Sequence, residues 1–214
     1  MRYDAGAVRS LAPGVRRRAA WLAAGSALIF FVAASMVGGD VAMALDHAAR
    51  RLIREGRMLE LERTMRTISK LGSGDVLVPL TFVMSVVLWR RHRPVAVWLP
   101  AIALAAGGSL AFTKWIIDTP RPTLRAYGFP SGHVFGVTVF VIVAVYLLWA
   151  LGASRGWRRG AAAAGAVFVT AVGYSRIFVN AHWLSDVVGG LVAGVAFGVA
   201  MVLLLDTRAA RAAR

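Results

Sequence analysis

Apolar and small residues dominate six stretches of this chain, at positions 19–38, 76–89, 95–112, 134–151, 161–174 and 187–205. Four of them are 18–20 residues long, close to the roughly 20 residues that cross a hydrocarbon core as a helix. The second and fifth have apolar cores of only 14 residues. Each of these extends into small or weakly polar flanks, Gly72-Ser73-Gly74 and 173–179, and has full-length neighbours. The pattern predicts an all-α integral membrane protein with six transmembrane helices. Between the first and second stretches, segment 40–70 breaks the rule. It is charged, yet apolar residues recur at Leu45, Ala48/Ala49, Leu52, Met58, Leu61, Met65 and Ile68. Steps of three and four mark amphipathic helix, expected as two pieces hinged near Gly56. Such a segment would lie in the headgroup layer or cap the bundle, or shape a lateral entrance for a lipid.

Composition agrees with the membrane reading. Hydrophobic residues make up 58% of the 214, against roughly 45–50% in soluble domains, and the mean hydropathy is +0.66. There is no cysteine, which excludes disulfides and thiolate-bound metals or clusters. The net charge of +15 would suggest nucleic acid in a soluble chain. Here no nucleic-acid partner is expected, because the charges fall between apolar runs and sort by side. With a cytoplasmic N-terminus, the inner segments hold 14 basic residues against two acids, and the outer ones 11 against eight. That asymmetry places both termini in the cytoplasm. Trp21, Trp89, Trp98, Trp149 and Trp157 then sit at inner helix ends, and Trp115 and Trp183 at outer ends, as an interfacial belt requires. The expected organisation is a basic cytoplasmic tail at 1–18, a six-helix domain at 19–206 and a second basic tail at 207–214. In the last helix Gly190, Gly194 and Gly198 recur every four residues, a spacing that admits a close neighbour; packing within the bundle is the expected use.

Three polar clusters stand at the ends of the apolar runs, all on the predicted outer side. They are Lys114 with Arg121-Pro122, Pro130-Ser131-Gly132-His133, and Ser175-Arg176 with His182 and Asp186. His182 and Asp186 are four apart, so on a helix they share a face. The carboxylate can take the Nδ1 proton and leave Nε2 as an outward lone pair, the orienter-plus-nucleophile arrangement. Ionisable groups in a membrane are functional candidates by default. Lys114, Arg121 and Arg176 offer charge suited to phosphate oxygens. Ser131-Gly132 opens a helix whose first N–H groups favour an anion, and His133 beside them is placed as a general acid.

Together these clusters resemble the signature of the type 2 phosphatidic acid phosphatase (PAP2) superfamily, K-x6-RP, PSGH and SR-x5-H-x3-D, matched without substitution or change of spacing. The resemblance implies a six-helix membrane lipid phosphatase that needs no metal and no cofactor. It implies that His182 attacks phosphorus to form a phosphohistidine, that Asp186 orients it, and that His133 protonates the leaving oxygen and then activates water. Lys114, Arg121, Ser131, Gly132 and Arg176 would bind the phosphoryl oxygens. The expected substrate is a lipid phosphate or diphosphate met from the periplasmic or exterior side of a bacterial cytoplasmic membrane. Undecaprenyl diphosphate is favoured, with phosphatidylglycerophosphate, phosphatidate and lipid A phosphates as alternatives. Only seven residues, 123–129, link the first two clusters, leaving no room for an inserted recognition domain. Arg125 in that link reads first as a solvated loop arginine, and alternatively as a contact to a headgroup or second phosphate. A transporter of an anionic substrate is the other class to weigh; it would place charges nearer the midplane, in repeated halves, and no internal repeat is present.

Overall fold

A computed structural model describes residues 9–55, 60–90, 92–123 and 126–212, with side chains described as far as residue 208. The described residues form eight helices: α1 (Pro13–Met36), α2 (Asp40–Glu55), α3 (Glu60–Leu71), α4 (Gly74–Trp89), α5 (Arg93–Ile116), α6 (Gly132–Ala150), α7 (Arg155–Phe178) and α8 (Leu184–Ala212). Helices α1, α5, α6, α7 and the 184–208 part of α8 are each long and apolar enough to cross a membrane. The fifth apolar run, short in sequence, is therefore part of a 24-residue helix. The second is not rescued in that way. Helix α4 has 16 residues, about 24 Å of rise, and meets α3 across a 45° bend at Gly72-Ser73; the bent pair has the length and apolarity of one broken span or of a re-entrant segment. The protein is thus an all-helical membrane protein of five to six spans, with α2 and α3 as the amphipathic segment. The expected hinge at Gly56 lies outside the described residues.

Helix α8 is the hub, packing most extensively on α6 and α1 and also touching α2, α5 and α7. Its glycines explain the close approach to α6. A Cβ at Gly190 would stand 2.6 Å from the Ser131 carbonyl, and one at Gly194 2.7 Å from Thr138 Cβ. The four-residue glycine repeat therefore serves packing inside the chain. The core runs from Val95, Leu99 and Ile102 of α5 through Phe135, Val139 and Val143 of α6 to Val202 and Leu205 of α8. Helix α1 buries only Ser26 and turns Trp21, Leu22, Leu28, Ile29 and Phe31 outward, as a lipid-facing helix must. Pro100 lies inside α5 and leaves the carbonyl four residues back without its usual donor. Ser85 of α4 donates its hydroxyl to that Ala96 oxygen at 2.7 Å, so the lost bond is replaced from a neighbouring helix.

The N-terminal segment is tied down at the end of the bundle opposite the three clusters. Helix α1 starts at Pro13, within the stretch read from sequence as a tail. Asp206, fully buried in α8, accepts the Leu11 N–H at 2.8 Å and the Tyr146 hydroxyl at 3.4 Å. Arg16 approaches the same carboxylate at 3.6 Å and donates to Thr207 Oγ1 at 2.8 Å.

Candidate active site

All three clusters converge where α5 and α7 end and α6 and α8 begin. His182 lies in the turn between α7 and α8, held by its own backbone: the Ala181 and His182 N–H groups both donate to the Arg176 carbonyl, at 2.9 and 3.2 Å. Asp186 sits in the first turn of α8. The expected pair is formed, with His182 Nδ1 2.9 Å from Asp186 Oδ2. That oxygen also accepts the Trp183 N–H at 3.0 Å. His182 is 2% exposed and Asp186 is fully buried. Burial pushes the imidazolium of His182 below its ordinary range; the hydrogen bond and charge of Asp186 act the other way, and Arg176 and Arg121 add to the lowering. The ring is therefore neutral near pH 7, with Nδ1–H committed to the carboxylate and Nε2 free to act as a base or nucleophile.

The Pro130-Ser131-Gly132-His133 cluster is clamped against the same pair. Ser131 N–H donates to the Asp186 carbonyl at 2.8 Å. Phe129, fully buried, fills the space above Gly189, where a Cβ would come within 2.2 Å of its ring, and stacks on Phe30 of α1 at 5.6 Å. The Phe129–Pro130 peptide is cis. Ser131 is the N-cap of α6 but its hydroxyl makes no cap bond. Its Oγ is buried without a partner among the described residues. The first N–H groups of α6 are orphans, as at any helix start, and lie beside it.

Lys114, in the last turn of α5, donates to the Tyr127 carbonyl at 2.6 Å and reaches that of Gly128 at 3.3 Å. Arg121 reaches the same Tyr127 oxygen at 3.4 Å. Tyr127 is in the left-handed region at φ 61°, its N–H bound to Asp118 at 2.8 Å. Arg176 donates through Nη1 to Ser69 of α3. The Nε atoms of Arg121 and Arg176 are buried and have no partner among the described residues. His133 stands within electrostatic reach of Arg176, His182, Arg121 and Lys114, so every expected site residue but one belongs to a single cluster. The exception, Arg125, lies outside the described residues.

Two cavities border this cluster. One, of about 560 Å³, is lined by Arg66, Ser69, Arg121, Thr123 and Arg176. The other, about 320 Å³ and mostly apolar, runs between α4, α5 and α6 past Leu77, Met84, Leu99 and Val143, with Gly132 and His133 at its head. Sequence reasoning missed Ser69, Arg66 and Thr119, whose carbonyl and hydroxyl accept the Gly128 and Phe129 N–H groups at 2.8 and 3.0 Å. Thr119 falls between Lys114 and Arg121 of the first cluster, a signal that could have marked it; Ser69 and Arg66 carried none.

So dense a set of donors around one neutral imidazole suits a phosphoryl group, and a bundle this apolar meets its substrate in the bilayer; the class is that of membrane lipid phosphatases. A sequence profile of the PAP2 superfamily matches residues 76–210, and the chain belongs to that superfamily. It is a hydrolase of the PAP2 lipid phosphatase family. An uncharacterized 22.5 kDa protein in the cps region of Klebsiella pneumoniae is 33% identical over 150 residues, covering 66% of this chain and 68% of the relative. An undecaprenyl-diphosphatase of Sulfolobus acidocaldarius is 24% identical over 185 residues, covering 78% and 82%. The crystal structure of a transmembrane PAP2 type phosphatidylglycerolphosphate phosphatase from Bacillus subtilis superposes with a TM-score of 0.74 at 20% identity, covering 85% of this chain and 94% of that one.

Proposed function

We propose that the protein hydrolyses a lipid diphosphate, with undecaprenyl diphosphate as the favoured substrate, through a phosphohistidine on His182 and without a metal ion. The observation that carries the proposal is the buried His182–Asp186 pair, Nδ1 held at 2.9 Å and Nε2 left free, beside three cations and an unpartnered serine hydroxyl. The terminal phosphate sits among Lys114, Arg121, Arg176, Ser131 Oγ and the Gly132 N–H. His182 Nε2 gives its lone pair to phosphorus, the bond to the bridging oxygen breaks, and His133 protonates that oxygen as it leaves. Water then attacks the phosphohistidine while His133 takes its proton. The N–P bond breaks, inorganic phosphate departs, and both histidines return to their starting states. Fixed cations meet the charge that develops on the transferred group.

The two cavities support this orientation. Arg121 and Arg176 line the polar one and His133 heads the apolar one. A phosphate held by Arg121 and Arg176 with its lipid chain toward the apolar cavity has its leaving oxygen on the His133 side. The likeness to an enzyme named undecaprenyl-diphosphatase favours the diphosphate. The charge asymmetry of the loops supports a site on the outer side of the membrane with cytoplasmic ends, within a single membrane domain at 19–206 flanked by basic tails.

A direct test loads purified protein with terminally labelled undecaprenyl diphosphate and quenches in alkali. Acid-labile, base-stable label on protein is expected, absent in His182→Ala; label and turnover surviving that substitution would sink the mechanism. Activity unchanged by EDTA is expected as well. A panel with phosphatidylglycerophosphate, phosphatidate and lipid A phosphates, ranked by kcat/KM, tests the substrate. Because the chain has no cysteine, Thr123→Cys and Ala153→Cys report sidedness with an impermeant maleimide on intact cells; only the first is expected to react.

A further inference from the structure

Helix α2 touches the His182 turn on both sides of the histidine. Asp46, only 5% exposed, accepts the Ser185 N–H and the Ser185 hydroxyl on its two carboxylate oxygens, each at 2.7 Å. Arg50, one helical turn further on, donates from Nε to Asn180 Oδ1 at 2.7 Å. Asn180 and Ser185 stand two residues before and three residues after His182. Between them, Trp183 meets the edge of His47 at 5.0 Å and lies under the Arg50 guanidinium at 5.9 Å. The same indole donates to the Pro120 carbonyl at 3.1 Å, which ties the turn to the residue before Arg121.

These contacts do work that the turn cannot do alone. Asn180 adopts φ 60°, a left-handed setting that asparagine tolerates but does not prefer, and the bond from Arg50 fixes its side chain. The Ser185 N–H is one of the orphan donors of the α8 N-terminus, and a carboxylate there plays the part of a capping side chain, supplied from another helix. Asp186 follows at once, with one oxygen already shared between His182 and Trp183 and the other, Oδ1, unpartnered. Without Asp46, both Ser185 donors lose their acceptor one residue before the carboxylate that orients His182.

We propose that Asp46 and Arg50 are positioning residues for the phosphoryl-transfer step, a two-point clamp that holds the His182 turn and keeps the Asp186 carboxylate committed to the imidazole. This rests on His182 being the nucleophile. The experiment compares Asp46→Ala, Arg50→Ala, Asp46→Asn, Ser185→Ala and Asp46→Ala/Ser185→Ala in the full-length protein in liposomes, with undecaprenyl diphosphate as probe and His182→Ala as reference. Steady-state constants, the rate of phosphoenzyme formation and the thermal unfolding midpoint are read for each.

Misplacing a reacting group by about an ångström costs about 100-fold, so Asp46→Ala and Arg50→Ala are expected to lower kcat and phosphoenzyme formation about 10- to 100-fold. KM should stay within about twofold; Asp46→Ala also strands the Ser185 N–H and hydroxyl and is expected to lower the unfolding midpoint, whereas Arg50→Ala is expected to leave it unchanged. Asp46→Asn keeps an acceptor for the Ser185 N–H and is expected to recover most of the rate. The double variant should be no slower than Asp46→Ala, because the hydroxyl bond that Ser185→Ala removes is already lost in Asp46→Ala. The clamp is overturned if His182→Ala is inactive while Asp46→Ala and Arg50→Ala turn over normally, if Asp206→Ala, remote from the site, loses as much kcat for the same drop in unfolding midpoint, or if the double variant is additive. Should Asp46→Ala fail to fold, Asp46→Asn, Arg50→Ala and Ser185→Ala decide by the same split between kcat and KM. Activity in His182→Ala would overturn the nucleophile assignment instead.

Discussion

Helix α8 carries two fully buried carboxylates, Asp186 near its start and Asp206 toward its end, and they differ in what they hold. Asp186 spends its hydrogen bonds on an imidazole and one loop N–H, and keeps one oxygen unpaired beside a group of cations. Asp206 takes the Leu11 N–H and the Tyr146 hydroxyl on Oδ1, and its Oδ2 likewise has no hydrogen-bond partner among the described residues, with Arg16 3.6 Å away. Burial alone therefore says nothing about role. What separates the two is the partner: a titratable ring whose orientation matters to a reaction, against groups whose only need is to be satisfied. A buried carboxylate that orients a base is costly to change in rate, and one that fastens backbone is costly in stability.

Substitutions can break that contrast. Asp186→Asn keeps the shape but removes the charge and turns one oxygen into an NH2 that can donate to Nδ1 and invert the His182 tautomer, and by analogy with other orienting carboxylates kcat should fall about 10³- to 10⁴-fold. The unfolding midpoint should barely move; a variant with near-normal kcat would erase the distinction. Asp206→Ala leaves a backbone N–H and a tyrosine hydroxyl without their acceptor and should cost about 3 kcal/mol of stability, with kcat within about threefold. Denaturant or thermal unfolding in detergent measures this, and loss of rate without loss of stability would reverse the assignment. The smallest effect is in pH. Because burial lowers the pKa of His182, the neutral form persists as pH falls from 7.5 to the ordinary imidazole value of 6.5, and protonation comes only below it. Ring ¹⁵N shifts of labelled His182 should remain those of the neutral Nδ1–H tautomer at pH 6.5, where an unperturbed histidine would be about half protonated.

The sequence was informative wherever a local rule sufficed. The i, i+4 spacing of His182 and Asp186 made their contact readable, and six apolar runs made the bundle readable, because helix period and membrane thickness are fixed quantities. The cations Lys114, Arg121 and Arg176 were legible as a set through their resemblance to a known signature. What stayed hidden depended on packing between distant segments. Asp46 and Arg50 looked like the polar face of an amphipathic helix, and nothing in positions 40–55 announces contacts to Asn180 and Ser185, 130 and 139 residues away. Asp206 counted only as a charge in a terminal segment. Of the two short runs, the fifth lengthened into a 24-residue helix and the second did not: α4 has 16 residues and reaches the length of a span only together with α3 across a bend.

Asp186 and Asp206 are 20 residues apart on one helix, about 30 Å of axial rise, which is the thickness of a bilayer's hydrocarbon core. Each end is fastened to other parts of the chain, and the glycine face between them lies directly on α6. Helix α8 is thus a gauge rod of fixed length that cannot slide along its neighbours. In a bilayer thicker or thinner than this rod, the adjustment has to come from tilting the whole bundle, from the lipid-facing α1 and bent α3–α4, or from the lipid itself.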